Sequence, residues 1–127
     1  MQEIKFIENT HLKEKPKDQS KLGFGKIFTD YMFTMEYNSK EGWHNAQVRP
    51  YENLSFDPAT TFIHYGQASF EGMKAYNAVD GVRLFRPMDN FARATRSAER
   101  LAMPALDEDL AMEGLKLLLK VEKDWIP

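Results

Sequence analysis

A chain of 127 residues suits one domain built around one modest core. Hydrophobic residues at 43% and aromatics at 13% argue against general disorder, and a charged fraction of 28% argues against a membrane protein. Seventeen Lys plus Arg against nineteen Asp plus Glu leave a net charge of −2 with the signs interspersed, so nucleic acid is offered no basic footprint. With no cysteine, disulfides, thiolate metal sites and thiol nucleophiles drop out.

Residues 1–20 are polar and aperiodic, and are expected to form a short flexible arm. They lack a signal-peptide core, and no apolar run approaches the roughly 20 residues that span a bilayer, so the cytoplasm is the default location. From 27 to 37 the odd positions Ile27, Tyr31, Phe33, Met35 and Tyr37 make one apolar face, which predicts a strand. Asn38-Ser39-Lys40-Glu41-Gly42 carries turn chemistry, and residues 43–49 return as a second strand before Pro50. Short runs rich in strand formers follow at 54–56, 60–65, 70–76 and 82–85, giving about six strands.

The pattern then changes. Phe91, Ala94, Thr95, Ala98, Leu101 and Ala102 recur at helical spacing, with Asp89 or Asn90 as the cap and Pro104 as the stop. Residues 107–124 repeat the pattern, with Leu110, Leu117, Leu118 and Val121 on an apolar stripe, acids in the first turn and lysines later. Strands followed by helices predict an α+β domain: a mainly antiparallel sheet with two helices packed on one face.

Against this background, Leu22-Gly23-Phe24-Gly25-Lys26-Ile27-Phe28-Thr29-Asp30-Tyr31-Met32 resembles the opening strand of the branched-chain amino acid aminotransferases, class IV enzymes of fold type IV. Ile63-His64-Tyr65-Gly66-Gln67-Ala68-Ser69-Phe70-Glu71-Gly72-Met73-Lys74-Ala75-Tyr76 resembles that family's HYGQ and FEGMKA motifs with almost no departure. Leu84-Phe85-Arg86-Pro87, Asn90, Arg93, Ser97-Ala98 and Arg100-Leu101 match the next block, and Pro50-Tyr51-Glu52-Asn53-Leu54 and Pro58-Ala59 also look like family elements. The resemblance implies the N-terminal small domain over residues 21–127, incomplete at its C-terminal end, with the large catalytic domain absent. It also implies a parent enzyme that moves the amino group between leucine, isoleucine or valine and 2-oxoglutarate, using pyridoxal phosphate and working as a homodimer.

By that resemblance Arg93 grips the cofactor phosphate, a task that suits a planar, permanently charged donor fork. Most helix arginines, such as Arg96 and Arg100, merely face water. Phe24, Tyr65 and Phe70 match aromatics that line the pocket for the branched side chain. Such an apolar enclosure separates leucine, isoleucine and valine weakly, because one methylene is worth only about 1 to 3 kcal/mol. Without the motif, strand aromatics are ordinarily core.

Lys74 is not the lysine that carries the cofactor, because the family places that residue in the large domain; no catalytic residue is expected in this chain. Gly72 marks either a close backbone approach or a packing constraint. His11, His44 and His64 lack metal-ligand spacing, and Gly23-Phe24-Gly25 lacks the context of a phosphate loop. The alternatives are a non-catalytic α+β module that binds another protein through aromatic sheet surface, and another class IV aminotransferase acting on aromatic or D-amino acids.

Overall fold

In the computed structural model, which describes residues 2–127, the expected hairpin forms from its own turn chemistry. Asn38 Oδ1 accepts from the backbone N–H of Lys40 at 3.0 Å and of Glu41 at 2.8 Å, and Gly42 adopts φ 69°. Strand β2 (Tyr31–Asn38) thereby turns into the antiparallel β3 (Gly42–Pro50). The register slips once. Thr34 pairs with Gln47 but Glu36 pairs with His44, so Asn45 and Ala46 together face Met35. Asn45 absorbs this bulge at φ 52°, a left-handed conformation that asparagine tolerates better than most residues.

The polar segment expected to be a flexible arm is instead tied into the sheet. Strand β1 (Lys5–Phe6) runs parallel to β3, pairing Lys5 with Gln47 and Phe6 with Val48, and Ile7 N–H donates to Val48 O at 2.9 Å. Composition hid this strand because backbone groups, not side chains, make the attachment. Met1, the first residue of that segment, lies outside the described residues. With β1 and β2 on either side, β3 is central, and Ala46, Gln47 and Val48 are buried.

Other strand expectations need correction. Residues 54–56 form no strand, and residues 60–65 contain the short helix α1 (Thr61–Tyr65), closed by Gly66 at φ 62°. The β-branched Thr60, Thr61 and Ile63 favour a strand locally, but the left-handed glycine ends a helical turn. Of 70–76 only the end is paired: β4 (Ala75–Ala78) and β5 (Gly81–Leu84) make a separate two-stranded hairpin. Among the described residues there are five strands in two sheets, of which only the β1–β3 pair is parallel. The α+β class stands, and the count of about six strands does not.

Helix α2 (Pro87–Arg100) begins two residues before the expected Asp89. Pro87 takes the first helical position, where its fixed φ and missing N–H cost nothing, and Arg86 precedes it at φ 47°. Asp89 then serves as a first-turn acid and pairs with Arg86 at 2.7 Å. Helix α3 (Glu108–Val121) is capped by Asp107, whose Oδ1 accepts from Leu110 N–H at 3.0 Å.

The helices do not share the sheet equally. Helix α3 packs on β2 and β3, while α2 packs mainly on α3. Of the expected stripe Leu110 is buried and Leu117, Leu118 and Val121 are half-buried, and Ala111 and Gly114 complete the buried face. Gly114 is the closest approach, since a Cβ built there would fall 2.4 Å from Phe33 Cζ.

The chain end returns to the start of β2. Asp30, 2% exposed, accepts through Oδ1 from Lys13 N–H at 2.8 Å and through Oδ2 from Trp125 Nε1–H at 2.9 Å. Its backbone oxygen accepts from Asn9 and Tyr51. Buried Glu122 accepts from Tyr31 N–H, and burial raises its carboxyl above the ordinary value. These contacts clasp the N-terminal segment, β2 and the end of α3.

Candidate functional site

Arg93 lies on the outer face of α2, opposite the extended stretch that leads into β4. Along 70–76 the burial alternates: Glu71, Met73 and Ala75 turn inward, while Phe70, Gly72, Lys74 and Tyr76 face out. Glu71 therefore meets the helix. Arg93 Nε–H donates to Glu71 Oε2 at 2.7 Å and its Nη2 donates to Oε1, making a two-point ion pair. Asn90 Nδ2 donates to Glu71 Oε1 at 3.1 Å and to Gly72 O at 2.7 Å.

The electrostatics follow from that geometry. The hydrogen bonds from Arg93 hold the Glu71 carboxyl at about 2, against a smaller upward push from burial, with Asn90 and the Gly72 N–H helping. Glu71 in turn raises Arg93 further above its already high value. Both groups are charged at any physiological pH. Beside them is a shallow hollow of about 220 Å³ lined by Asp89, Asn90, Arg93 and Arg96. With Glu71 already paired to Arg93, the two guanidinium groups face two carboxylates, Glu71 and Asp89. The N–H groups of Arg93, Arg96 and Asn90 that line the hollow nonetheless give it donors suited to a small anion. A larger hollow of about 640 Å³ lies between β2 and α3, lined by Phe33, Met35, Trp43, Leu115 and other apolar residues. Among the described residues its lining holds no lysine or arginine for a phosphate.

The aromatic candidates are bare: Phe24 is 97% exposed, Tyr65 85% and Phe70 91%. Phe24 sits between Gly23 and Gly25, both at positive φ, in the stretch before β2. Tyr65 ends α1, and beyond it Gln67 Nε2 donates to Leu101 O at 2.8 Å, tying this end of α1 to the end of α2. Phe70 folds back beside Gly72, where a Cβ would meet its ring at 3.6 Å. The structure links Phe70 to Arg93 through the adjacent Glu71, but Phe24, Tyr65 and Phe70 do not edge the Arg93 hollow and pair with no other ring among the described residues.

Gly72 lies on the exposed face and contributes a carbonyl to Asn90. Lys74 is exposed. His64 contacts Pro58 O, and His44 lies near Glu36 and Glu41. Among the described residues no group of three or more His, Asp or Glu is placed to hold a metal ion, and no helix is long and apolar enough to cross a membrane. Sequence reasoning gave Glu71 no role, and read Asn90 as a possible cap and as a motif match without a role at the site. The available signal was a lone acid amid the apolar Phe70, Gly72 and Met73.

Known proteins match this segment closely. Branched-chain-amino-acid transaminase 1 of Bacillus subtilis (strain 168) is 53% identical over 125 residues, covering 98% of this chain and 35% of the relative. A probable branched-chain-amino-acid aminotransferase of Staphylococcus epidermidis (strain ATCC 12228 / FDA PCI 1200) is 48% identical over 126 residues, covering 99% and 35%. The chain is a homologue of the branched-chain aminotransferases. A third relative, the branched-chain-amino-acid aminotransferase of Mycolicibacterium smegmatis, is 49% identical over 106 residues, covering 83% of this chain and 29% of its own. The chain thus spans about a third of the length of the curated relatives it matches. No family model matches it. Phe24, Tyr65, Phe70, Glu71 and Arg93 all lie within a region of branched-chain aminotransferase homology that covers nearly the whole chain.

Proposed function

We propose that this chain is the small-domain part, over residues 21–127, of a cytoplasmic, homodimeric enzyme. That enzyme exchanges the amino group between leucine, isoleucine or valine and 2-oxoglutarate, with pyridoxal phosphate as cofactor. The observation that carries the reading is Arg93, 62% exposed at a hollow suited to an anion, within a chain homologous to branched-chain aminotransferases. The donor set of Arg93, Arg96 and Asn90 fits a phosphate group. It has no feature that selects a pyridine ring.

Within this reading Arg93 binds and orients the phosphate, while Phe24, Tyr65 and Phe70 exclude water and contact the branched side chain. The Tyr65 hydroxyl adds a hydrogen-bonding group that phenylalanine lacks. When bound, the cofactor supplies the electron sink that makes the amino-bearing carbon reactive. The chain alone is inactive. A lysine nucleophile needs desolvation or a neighbouring cation to lose its proton near neutral pH, and every lysine here is exposed.

The test replaces the corresponding third of the Bacillus subtilis relative with this chain. The chimera is expected to transaminate leucine, isoleucine and valine to comparable extents, whereas the 127-residue chain with added pyridoxal phosphate gives no turnover above blank. A folded chimera that acts on aromatic or D-amino acids but not on leucine would overturn the substrate assignment. Turnover by the chain alone would overturn its inactivity.

A further inference from the structure

Arg93 uses only one edge of its guanidinium on Glu71. The contacts run from Nε and Nη2, which occupies two of the five N–H groups side-on. Both hydrogens of Nη1 and one of Nη2, the end-on edge of the fork, remain, and among the described residues no acceptor engages Nη1. That edge has the spacing to grip two oxygens of a phosphate.

The two partners are not equally held. Glu71 has a side chain only 15% exposed, against 62% for Arg93, and it is anchored by Asn90 and by the N–H of Gly72. The carboxylate is the fixed member and the guanidinium is the free end. An exposed arginine without such a partner samples many rotamers and loses that freedom when it binds.

We propose that Glu71 is a positioning residue for phosphate recognition, clamping the side edge of Arg93 so that its end edge is presented to the ligand, and that phosphate joins this pair without displacing the carboxylate. The inference rests on the assignment of Arg93 above and adds a specific role for its partner. It runs against the simple Coulombic expectation, in which a negative charge beside Arg93 weakens anion binding.

The experiment follows the arginine side-chain N–H signals of the 127-residue chain by NMR during titration with pyridoxamine 5′-phosphate and with inorganic phosphate. Unphosphorylated pyridoxamine is the control. In the unsubstituted chain the Arg93 Nε–H signal is expected to keep its carboxylate-paired position at saturation while the Nη signals move. Glu71→Ala is expected to weaken binding of both phosphates by roughly tenfold, the lower end for lost outer-shell partners. Glu71→Gln, which keeps one acceptor and guards against misfolding of the alanine variant, should fall between.

An Nε–H signal that moves to the free-arginine position on saturation would overturn the proposal, as would equal or tighter binding by both variants. If binding to the unsubstituted chain survives Arg93→Ala, the Arg93 assignment itself fails, which is a distinguishable result. A chain that binds neither phosphate removes both readings.

Discussion

Aromatic residues serve two different ends in this molecule. In the clasped part, which joins β1, β2, β3 and α3, Phe33 seats on Gly114, Trp43 Nε1–H donates to Ala105 O at 2.8 Å, and Trp125 Nε1–H donates to buried Asp30. In the stretches before β2 and between β3 and β4, Phe24, Tyr65 and Phe70 are almost wholly bare. Those exposed stretches are held by polar threads: Gln67 to Leu101 O, Asn90 to Gly72 O, and Glu71 to Arg93. Burial and hydrogen bonds to the buried Asp30 and Glu122 carboxylates hold the first region, whereas a few hydrogen bonds at the surface hold the second. The lesson is a division of labour in which the apolar side chains least needed for folding are the ones left facing outward.

The sharpest way to break this comparison is to cut the clasp. Asp30→Ala removes the acceptor for two donors, the Lys13 N–H and the Trp125 indole. A fully buried donor left unpaired costs about 1–3 kcal/mol, and because these two bonds are part-buried a loss of about 2 kcal/mol is expected. Asp30→Asn, which keeps one acceptor, should lose roughly half of that on the same ground. Urea unfolding followed by tryptophan fluorescence measures both. A loss below about 0.5 kcal/mol for the alanine variant, the range of an ordinary surface change, would mean that the clasp does not hold the region together.

The second test presses on the helix-to-sheet contact. Gly114→Ala ordinarily gains about 1 kcal/mol of helix propensity. Here the new methyl meets the Phe33 ring, with three ring carbons within 2.7 Å of its position. Overpacking of a core costs about 1–3 kcal/mol, and at this separation the clash outweighs the propensity gain, so net destabilisation of about 1 kcal/mol is expected. Phe33→Leu should rescue part of it in the double variant, because contacting residues couple. A midpoint in urea that rises for Gly114→Ala alone would show that the close approach is absent.

How much of this was legible follows the range of the interaction. The 38–42 turn and the acidic first turn of α3 are local, and Asn38, Gly42, Glu108 and Asp109 announced them directly. The α1 turn misled because Thr60, Thr61 and Ile63 carry strand propensity while the deciding residue, Gly66, lies outside the run. The clasp was invisible: Tyr31 and Glu122 are 91 residues apart, and no pattern of period two or 3.6 encodes such a pair. The partial site shows the same split. Arg93 and the aromatics came from motif resemblance, but Glu71, 22 residues from Arg93, required the chain to be folded.

The smallest effect is expected in the exposed stretches. Phe24→Ser, Tyr65→Ser and Phe70→Ser remove rings that bury almost nothing within this chain. Surface changes away from caps and cores ordinarily stay within about 0.5 kcal/mol, so each variant should unfold at nearly the urea concentration of the parent chain. In the chimera the same substitutions should raise KM for leucine while leaving the fold intact, because they strip apolar contact from the branched side chain. That pairing separates the two uses of aromatic residues: a ring that serves the core shifts the unfolding midpoint, and a ring that serves the substrate shifts KM alone. If Phe24→Ser or Tyr65→Ser instead destabilises the isolated chain by more than about 1 kcal/mol, twice the usual surface range, that ring belongs to the fold after all and the proposed division fails at that residue.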